Sequence, residues 1–299
     1  MAVTSPTRVP RTEPFQAVSA PVAPPKGLRR FWRSGQVRLG VLLLVVTTLA
    51  AFIGPLLMPY DPSKSVAAPY AHPGDGLLLG ADQLGRDVLS RVLAGGVYLA
   101  WMAPAAAVLG VAVGALIGLL AAFYGRFWDA ALMRLVDVIL AFPGILFALL
   151  FVSLLGPKPW LLVVLTAIAL VPGVARVIRG AARPLVRSEY VLWARAAGVP
   201  GRTILSKEIL PNVSSPLLVE LGIRLMWAVD IIASMSFIGY GIQPPTPDWG
   251  LMVSENRTGL STQPLAVLVP IVFIVLFTVG GNLISEGAAR VIARTEGKK

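Results

Sequence analysis

Long apolar runs alternate with short polar stretches along this chain. Residues 39–57 carry no charge, and about 20 mostly apolar residues suffice for a helix to cross a bilayer. The run lies too far from the start, and is too long, for an ordinary cleaved signal peptide. No charged residue occurs between Arg91 and Arg126, which predicts a second span over about 97–123. Within it Gly110, Gly114 and Gly118 recur every four residues. They leave one helix stripe without side chains, against which another helix can pack closely. Further spans are predicted at about 132–155, 160–177 and 264–284. The stretch 217–238 is apolar but holds Glu220, Arg224 and Asp230. It reads as a fifth span by parity, because five crossings would leave two basic chain ends on opposite faces. The alternative is an amphipathic helix lying on the membrane.

The pattern gives an all-α polytopic membrane protein. Residues 1–36 are rich in Pro, Ala, Ser, Thr and Val, show no apolar period and read as a flexible cytoplasmic arm. Residues 37–290 form a six-helix transmembrane domain, and 291–299 a cytoplasmic tail. Composition agrees: 56% of residues are hydrophobic and 14% charged, against about 25% charged in soluble domains. So few charges cannot coat a soluble protein of 299 residues. With six spans, 20 of the 26 Lys and Arg fall in segments on the cytoplasmic side, five fall outside, and Arg224 lies in a span. That asymmetry follows the positive-inside rule and places both ends in the cytoplasm. The basic residues are scattered between apolar spans, which argues against a nucleic-acid partner. The chain has no cysteine and one histidine, His72, so disulfides, thiolate chemistry and multi-histidine metal sites are excluded. His72 reads as a plain loop residue.

The polar segment 188–212, SEYVLWARAAGVPGRTILSKEILPN, is built differently. Ser188 can cap a helix, and Glu189 favours its positive end. Gly198 suits a left-handed residue after the helix, and Pro200 cannot continue it. A short helix over 189–197 is predicted, with a second starting near Pro200 and ending before Pro211. A two-helix elbow on the cytoplasmic face suits docking, whereas an ordinary loop helix is the alternative.

This segment resembles the EAA loop of ABC-importer permeases, in which a short coupling helix inserts into a cleft on an ATPase subunit. Gly198, Leu210, Pro211 and Asn212 match the pattern, and Ala194 matches the third position of its acid-Ala-Ala triplet. Leu192 and Trp193 stand where the pattern has its first two residues. LGADQLGRDVLSR at 79–91, RLVDVILAFPG at 134–144 and SFIGYGIQPPTPDWG at 236–250 are similar, in identity and order, to stretches of the dipeptide/oligopeptide/nickel permeases, C-type subunit. Three departures stand out. His72-Pro73 is separated from Leu79-Gly80, where the family joins them, Ile232 replaces a common glutamate, and an acid lies instead at Asp230.

The resemblance implies one half of a translocation pathway in a prokaryotic inner or plasma membrane, carrying peptides or a related solute such as a nickel complex. It implies a coupling loop over 184–212, with Glu189, Ala194, Gly198, Leu210 and Pro211 as coupling residues. It also implies four kinds of partner: a second permease subunit, two ATP-binding-cassette ATPase subunits, an extracytoplasmic solute-binding protein and the lipid bilayer. No Gly-x-x-x-x-Gly-Lys-Ser/Thr loop occurs in the sequence. The chain itself is therefore expected to hold no cofactor and not to be an enzyme, with ATP and Mg on partner subunits.

Spacing supplies further expectations. Arg134 and Asp137 can pair on one helix face, and Glu220 precedes Arg224 by four residues in the favourable order. Asp230 has no partner at helical spacing. An acid within a span faces a bundle interior or a water-filled cavity, so Glu220, Arg224 and Asp230 are candidates for the substrate path, with structural hydrogen bonding as the alternative. Asp82, Arg86 and Asp87 read as a folded outer-loop network, or as a contact for a binding protein. A secondary transporter acting alone is the competing function, but such carriers often show internal repeats, and none is evident here. An intramembrane enzyme is disfavoured by the lack of any catalytic set.

Overall fold

The computed structural model describes residues 34–74 and 76–296. Most of the expected arm, 1–33, and the last three residues of the tail lie outside them. Ten helices are labelled here in chain order. They are α1 (Gly35–Ile53), α2 (Val88–Gly95), α3 (Val97–Tyr124), α4 (Arg126–Leu140), α5 (Gly144–Leu155), α6 (Pro159–Val186), α7 (Glu189–Ala196), α8 (Ser214–Ile238), α9 (Trp249–Asn256) and α10 (Leu265–Glu296). Among the described residues there is no strand, only isolated bridges such as Ser65 with Arg86. Five helical segments are long and apolar enough to cross a membrane, and α4 with α5 makes a sixth if the bent pair is one span.

The α3–α6 pair is the spine. A Cβ on Gly110 would come within 3.0 Å of the Ala167 carbonyl oxygen, on Gly114 within 2.7 Å of Val174 Cβ, and on Gly118 within 2.6 Å of the Ala175 carbonyl oxygen. The glycine stripe is thus the surface on which α6 lies. Its contacts advance in the same order along both helices, so α3 and α6 run parallel. The chain must then cross back between them, and α4 and α5 make that crossing. Asp129 meets Arg179 and Arg183, Asp137 meets Arg176, and Gly144 faces Ala169. The partners on α6 recede steadily toward its start.

That return is broken. The expected straight span over 132–155 is two helices bent by 77° around Ala141, Phe142 and Pro143. Proline lacks an amide hydrogen and its ring crowds the preceding turn, and Phe142 is pushed from helical geometry by the ring that follows it. The expected pair of Arg134 with Asp137 is absent, because Asp137 turns to Arg176 at 2.6 Å.

Against the spine packs α8, and α10 packs on α8. Gly222 abuts Ser285, whose hydroxyl donates to the Val219 carbonyl. Gly40 and Gly280 bring α1 and α10 together, each close to the other's carbonyl oxygen. Val37 lies at Gly287 while Leu44 lies at Gly280, so α1 and α10 are antiparallel. The start of α1 and the close of α10 therefore share one end of the bundle with the α7 elbow. At the opposite end, residues 57–87 and 239–264 fold over the bundle with α2 and α9. Indole Nε1 of Trp249, a buried residue, donates to the Val92 carbonyl at 2.8 Å and locks these two segments together.

Candidate functional site

The α7 helix leaves α6 after a sharp turn and ends in a closed loop. Gly198 has φ of 76°. The amide of Gly198 donates to the Arg195 carbonyl and that of Val199 to the Ala194 carbonyl, both at 3.0 Å. This pair of bonds is a Schellman closure, which needs a left-handed residue after the helix. Ser188 does occupy the N-cap position, but its hydroxyl donates back to the Leu185 carbonyl and caps nothing in α7. Glu189 and Gly198 are exposed, Ala194 half-buried.

The elbow's second arm corrects the expected stop before Pro211. It starts after Pro200 as Gly201–Thr203, widens into a π-helical stretch Ile204–Ile209 and continues as Leu210–Asn212. A π turn accommodates the proline by opening the ladder where Pro211 offers no donor. Leu210 and Pro211 are exposed.

One side of this elbow is anchored and the other is bare. Val191, Ile204 and Ile209 are fully buried, packed with Leu119, Phe123, Val174 and Ile178 of the spine. Tyr190, Leu192 and Trp193 point away, and Trp193 is 75% exposed. Arg195 contributes a tie that the sequence did not reveal. Its guanidinium sits 4.3 Å above the Phe123 ring, and Nη2 donates to the Phe123 carbonyl at 3.1 Å.

Within α8, Glu220 and Arg224 pair at 2.7 Å. Glu220 is buried and Arg224 half-buried, its guanidinium seated where Gly173 of α6 leaves room. Asp230 is exposed on α8 beside Trp227, three residues earlier and also exposed. The three candidates for the substrate path thus separate into a packed pair and a bare acid.

At the opposite end, Asp82 and Glu255 share two arginines. Arg86 reaches Asp82 at 2.6 Å and Glu255 at 3.1 Å, and Arg91 pairs with Asp82 and, at 2.8 Å, with Glu255. Burial alone would raise the Asp82 pKa. The amide of Arg86 and the two guanidinium groups outweigh it and hold the carboxyl below its usual range. Asp87 stands apart from the expected network: it caps α2 through the amide and hydroxyl of Ser90. Arg91 and Glu255 are members the sequence reading missed. Arg91 closes the 79–91 motif, but nothing local joins it to Glu255.

Residues 114–296 match the family model described as binding-protein-dependent transport system inner membrane component. A putative peptide transport system permease protein of Brucella suis biovar 1 is 36% identical over 265 residues, covering 88% of this chain and 89% of that protein. The glutathione transport system permease protein GsiD of Escherichia coli O6:K15:H31 is 35% identical over 265 residues, covering 87% and 86%. With this likeness along nearly the whole fold, the chain belongs to the family of inner membrane components of binding-protein-dependent transport systems, as one of its ABC-importer permeases.

Proposed function

We propose that this permease carries short peptides or a peptide-like solute such as glutathione, and that its elbow docks an ATP-binding-cassette ATPase on the cytoplasmic side. One observation carries the docking: the elbow is anchored by fully buried residues yet presents Tyr190, Leu192 and Trp193 to water. An unliganded soluble surface gains nothing from such a row, whereas a coupling surface needs rigidity beneath and apolar contact above. Glu189, Ala194, Gly198, Leu210 and Pro211 shape the elbow. The excess of basic residues at this end supports its cytoplasmic placement and that of both chain ends.

The substrate class rests on the names of the relatives, peptide and glutathione permeases. Asp230 supports a water-filled path along α8: an uncompensated carboxylate facing hydrocarbon would be costly, so the bare face of α8 belongs to a pathway completed by a second permease subunit. The Glu220–Arg224 pair holds α8 against α6. ATP and Mg are assigned to the ATPase partners, and solute selection largely to an extracytoplasmic binding protein.

Purification in mild detergent from the native host tests this. Two ATPase subunits and a second permease are expected to co-purify, and Trp193→Asp is expected to lose the ATPases while keeping the second permease. Reconstituted with these partners and the binding protein, the transporter is expected to take up labelled dipeptide or glutathione. A chain that purifies alone, or ATPase recovery unchanged by Trp193→Asp, would refute the docking reading.

A further inference from the structure

We propose that Arg195 is the positioning residue through which the elbow moves the joint between α3 and α4, and with it the broken crossing. The proposal rests on the docking role argued above and adds a route into the spans.

The contact is specific. The Phe123 carbonyl lies in the last turn of α3, where carbonyls have no partner within the helix. A guanidinium there satisfies a free acceptor and meets the negative end of the helix dipole. The same guanidinium covers the Phe123 ring, a cation–π contact. The second arm closes on that ring too: a Cβ on Gly201 would lie 2.9 Å from Phe123 Cε1. Both arms of the elbow therefore hold one side chain. Among the described residues, Arg195 makes the only side-chain hydrogen bond from α7 to a helix other than its neighbour in sequence. The remaining anchors, Val191, Ile204 and Ile209, are apolar packing contacts.

Phe123 is two residues from a sharp joint. Gly125 has φ of 60° and ψ of −163°, Arg126 has positive φ, and α4 begins at once. Beyond the joint, α4 is a nearly bare lever with only Val136 buried. It is held to α6 by the Asp129 pairs with Arg179 and Arg183 and by Asp137 with Arg176, and it ends at the bend before Pro143. A displacement of α7 thus pulls on the end of α3, rotates α4 about Gly125 and alters the angle at Ala141–Pro143.

The test uses the complete transporter with its partner subunits, in which Ala141→Cys is labelled by a membrane-impermeant maleimide with and without Mg-ATP and vanadate. In this permease the labelling rate is expected to change on nucleotide trapping. Arg195→Ala is expected to keep membrane abundance and ATPase co-purification while shrinking that change about tenfold, the size of one cation–π contact and one charge-assisted hydrogen bond. Arg195→Lys, which keeps the charge at the carbonyl, is expected to restore part of it. Phe123→Leu, which keeps the carbonyl and removes the ring, is expected to fall between. A full response in Arg195→Ala overturns the proposal, as does failure of Arg195→Ala to recover the ATPases, since Arg195 would then be a docking residue. If the unsubstituted elbow itself recovers no ATPase, the docking reading falls and this proposal with it.

Discussion

At Asp248 two demands compete. Its carboxylate caps α9 by accepting from the amides of Gly250 and Leu251, both at 3.1 Å, and a charged acceptor is favoured at a helix start. It is also almost fully buried, at 2% exposure. Desolvation wins over the hydrogen bonds and raises its pKa to about 6. Because the folded pKa lies above the unfolded value, the stabilising contribution is complete below pH 3.8 and is lost as pH rises through about 6. By neutral pH the ionised group costs on the order of 3 kcal/mol. Asparagine caps helices about as well as aspartate and carries no charge to desolvate. Asp248→Asn is therefore expected to raise the thermal midpoint of the detergent-solubilised protein at pH 7.5 and to lose that advantage by about pH 4. A gap of constant size across this range would show that ionisation is not the cause. Asp82 behaves oppositely: against its burial, the Arg86 amide and two guanidinium groups hold its pKa down, so its contribution is lost only as the solution becomes acidic, below the usual carboxylate range.

Two glycines on neighbouring elements separate the bundle from the elbow. Gly114 has negative φ but no room, since Val174 Cβ and the Val171 carbonyl oxygen would lie within 2.8 Å of a Cβ. Gly198 has room on every side but φ of 76°, where a residue with a Cβ costs about 1 kcal/mol or more. Gly114→Val is expected to force α3 from α6 and to lower thermal stability and membrane abundance. Gly198→Val is expected to leave both nearly unchanged and to reorient α7, weakening ATPase association or its stimulation. Equal loss of abundance in the two variants would contradict this division. The stripe around Gly114 was readable because a period of four is local, and so was the helix end at Gly198. The break at Pro143 was not: Pro104, Pro172 and Pro270 also lie in apolar runs, yet α3, α6 and α10 continue through them. A glycine follows Pro172 just as one follows Pro143, so nothing local sets Pro143 apart; the bend shows only in how the chain beyond it packs on α6, where Gly144 faces Ala169. The charge network and the Arg195 tie were hidden for a related reason. Arg86 and Glu255 are 169 residues apart, and Arg195 and Phe123 are 72 apart, distances over which no periodicity carries information. Span ends were also blurred, because α6 and α10 run past the apolar runs as helix.

For the whole molecule, the order of contacts fixes the path. Parallel α3 and α6 require α4 and α5 together to return the chain across the bundle, so the bent pair counts once and the described chain crosses six times. The 15 residues of α4 and 12 of α5 rise roughly 22 and 18 Å along their own axes. Neither alone spans a hydrocarbon core of about 30 Å, and together they do so despite the bend. Both ends of the described chain then lie with the elbow, where the paired and unpaired arginines of α4, α6 and α7 collect, and the folded cap of α2 and α9 lies on the other side. A chain without native cysteine makes this directly measurable. Ser63, Thr262 and Ala197 are exposed, the first two at the cap and the third on the elbow. Single cysteines at Ser63 and Thr262 are expected to react with an impermeant maleimide added to intact cells stripped of any outer barrier. A cysteine at Ala197 is expected to react only after the membrane is opened. A cysteine at Lys158, between α5 and α6, reports on the bent pair itself. It is expected to label from outside with the cap, because the α4–α5 crossing delivers it there. Labelling of Lys158→Cys only with Ala197→Cys would mean that the pair turns back within the membrane, leaving five crossings and the two chain ends on opposite faces.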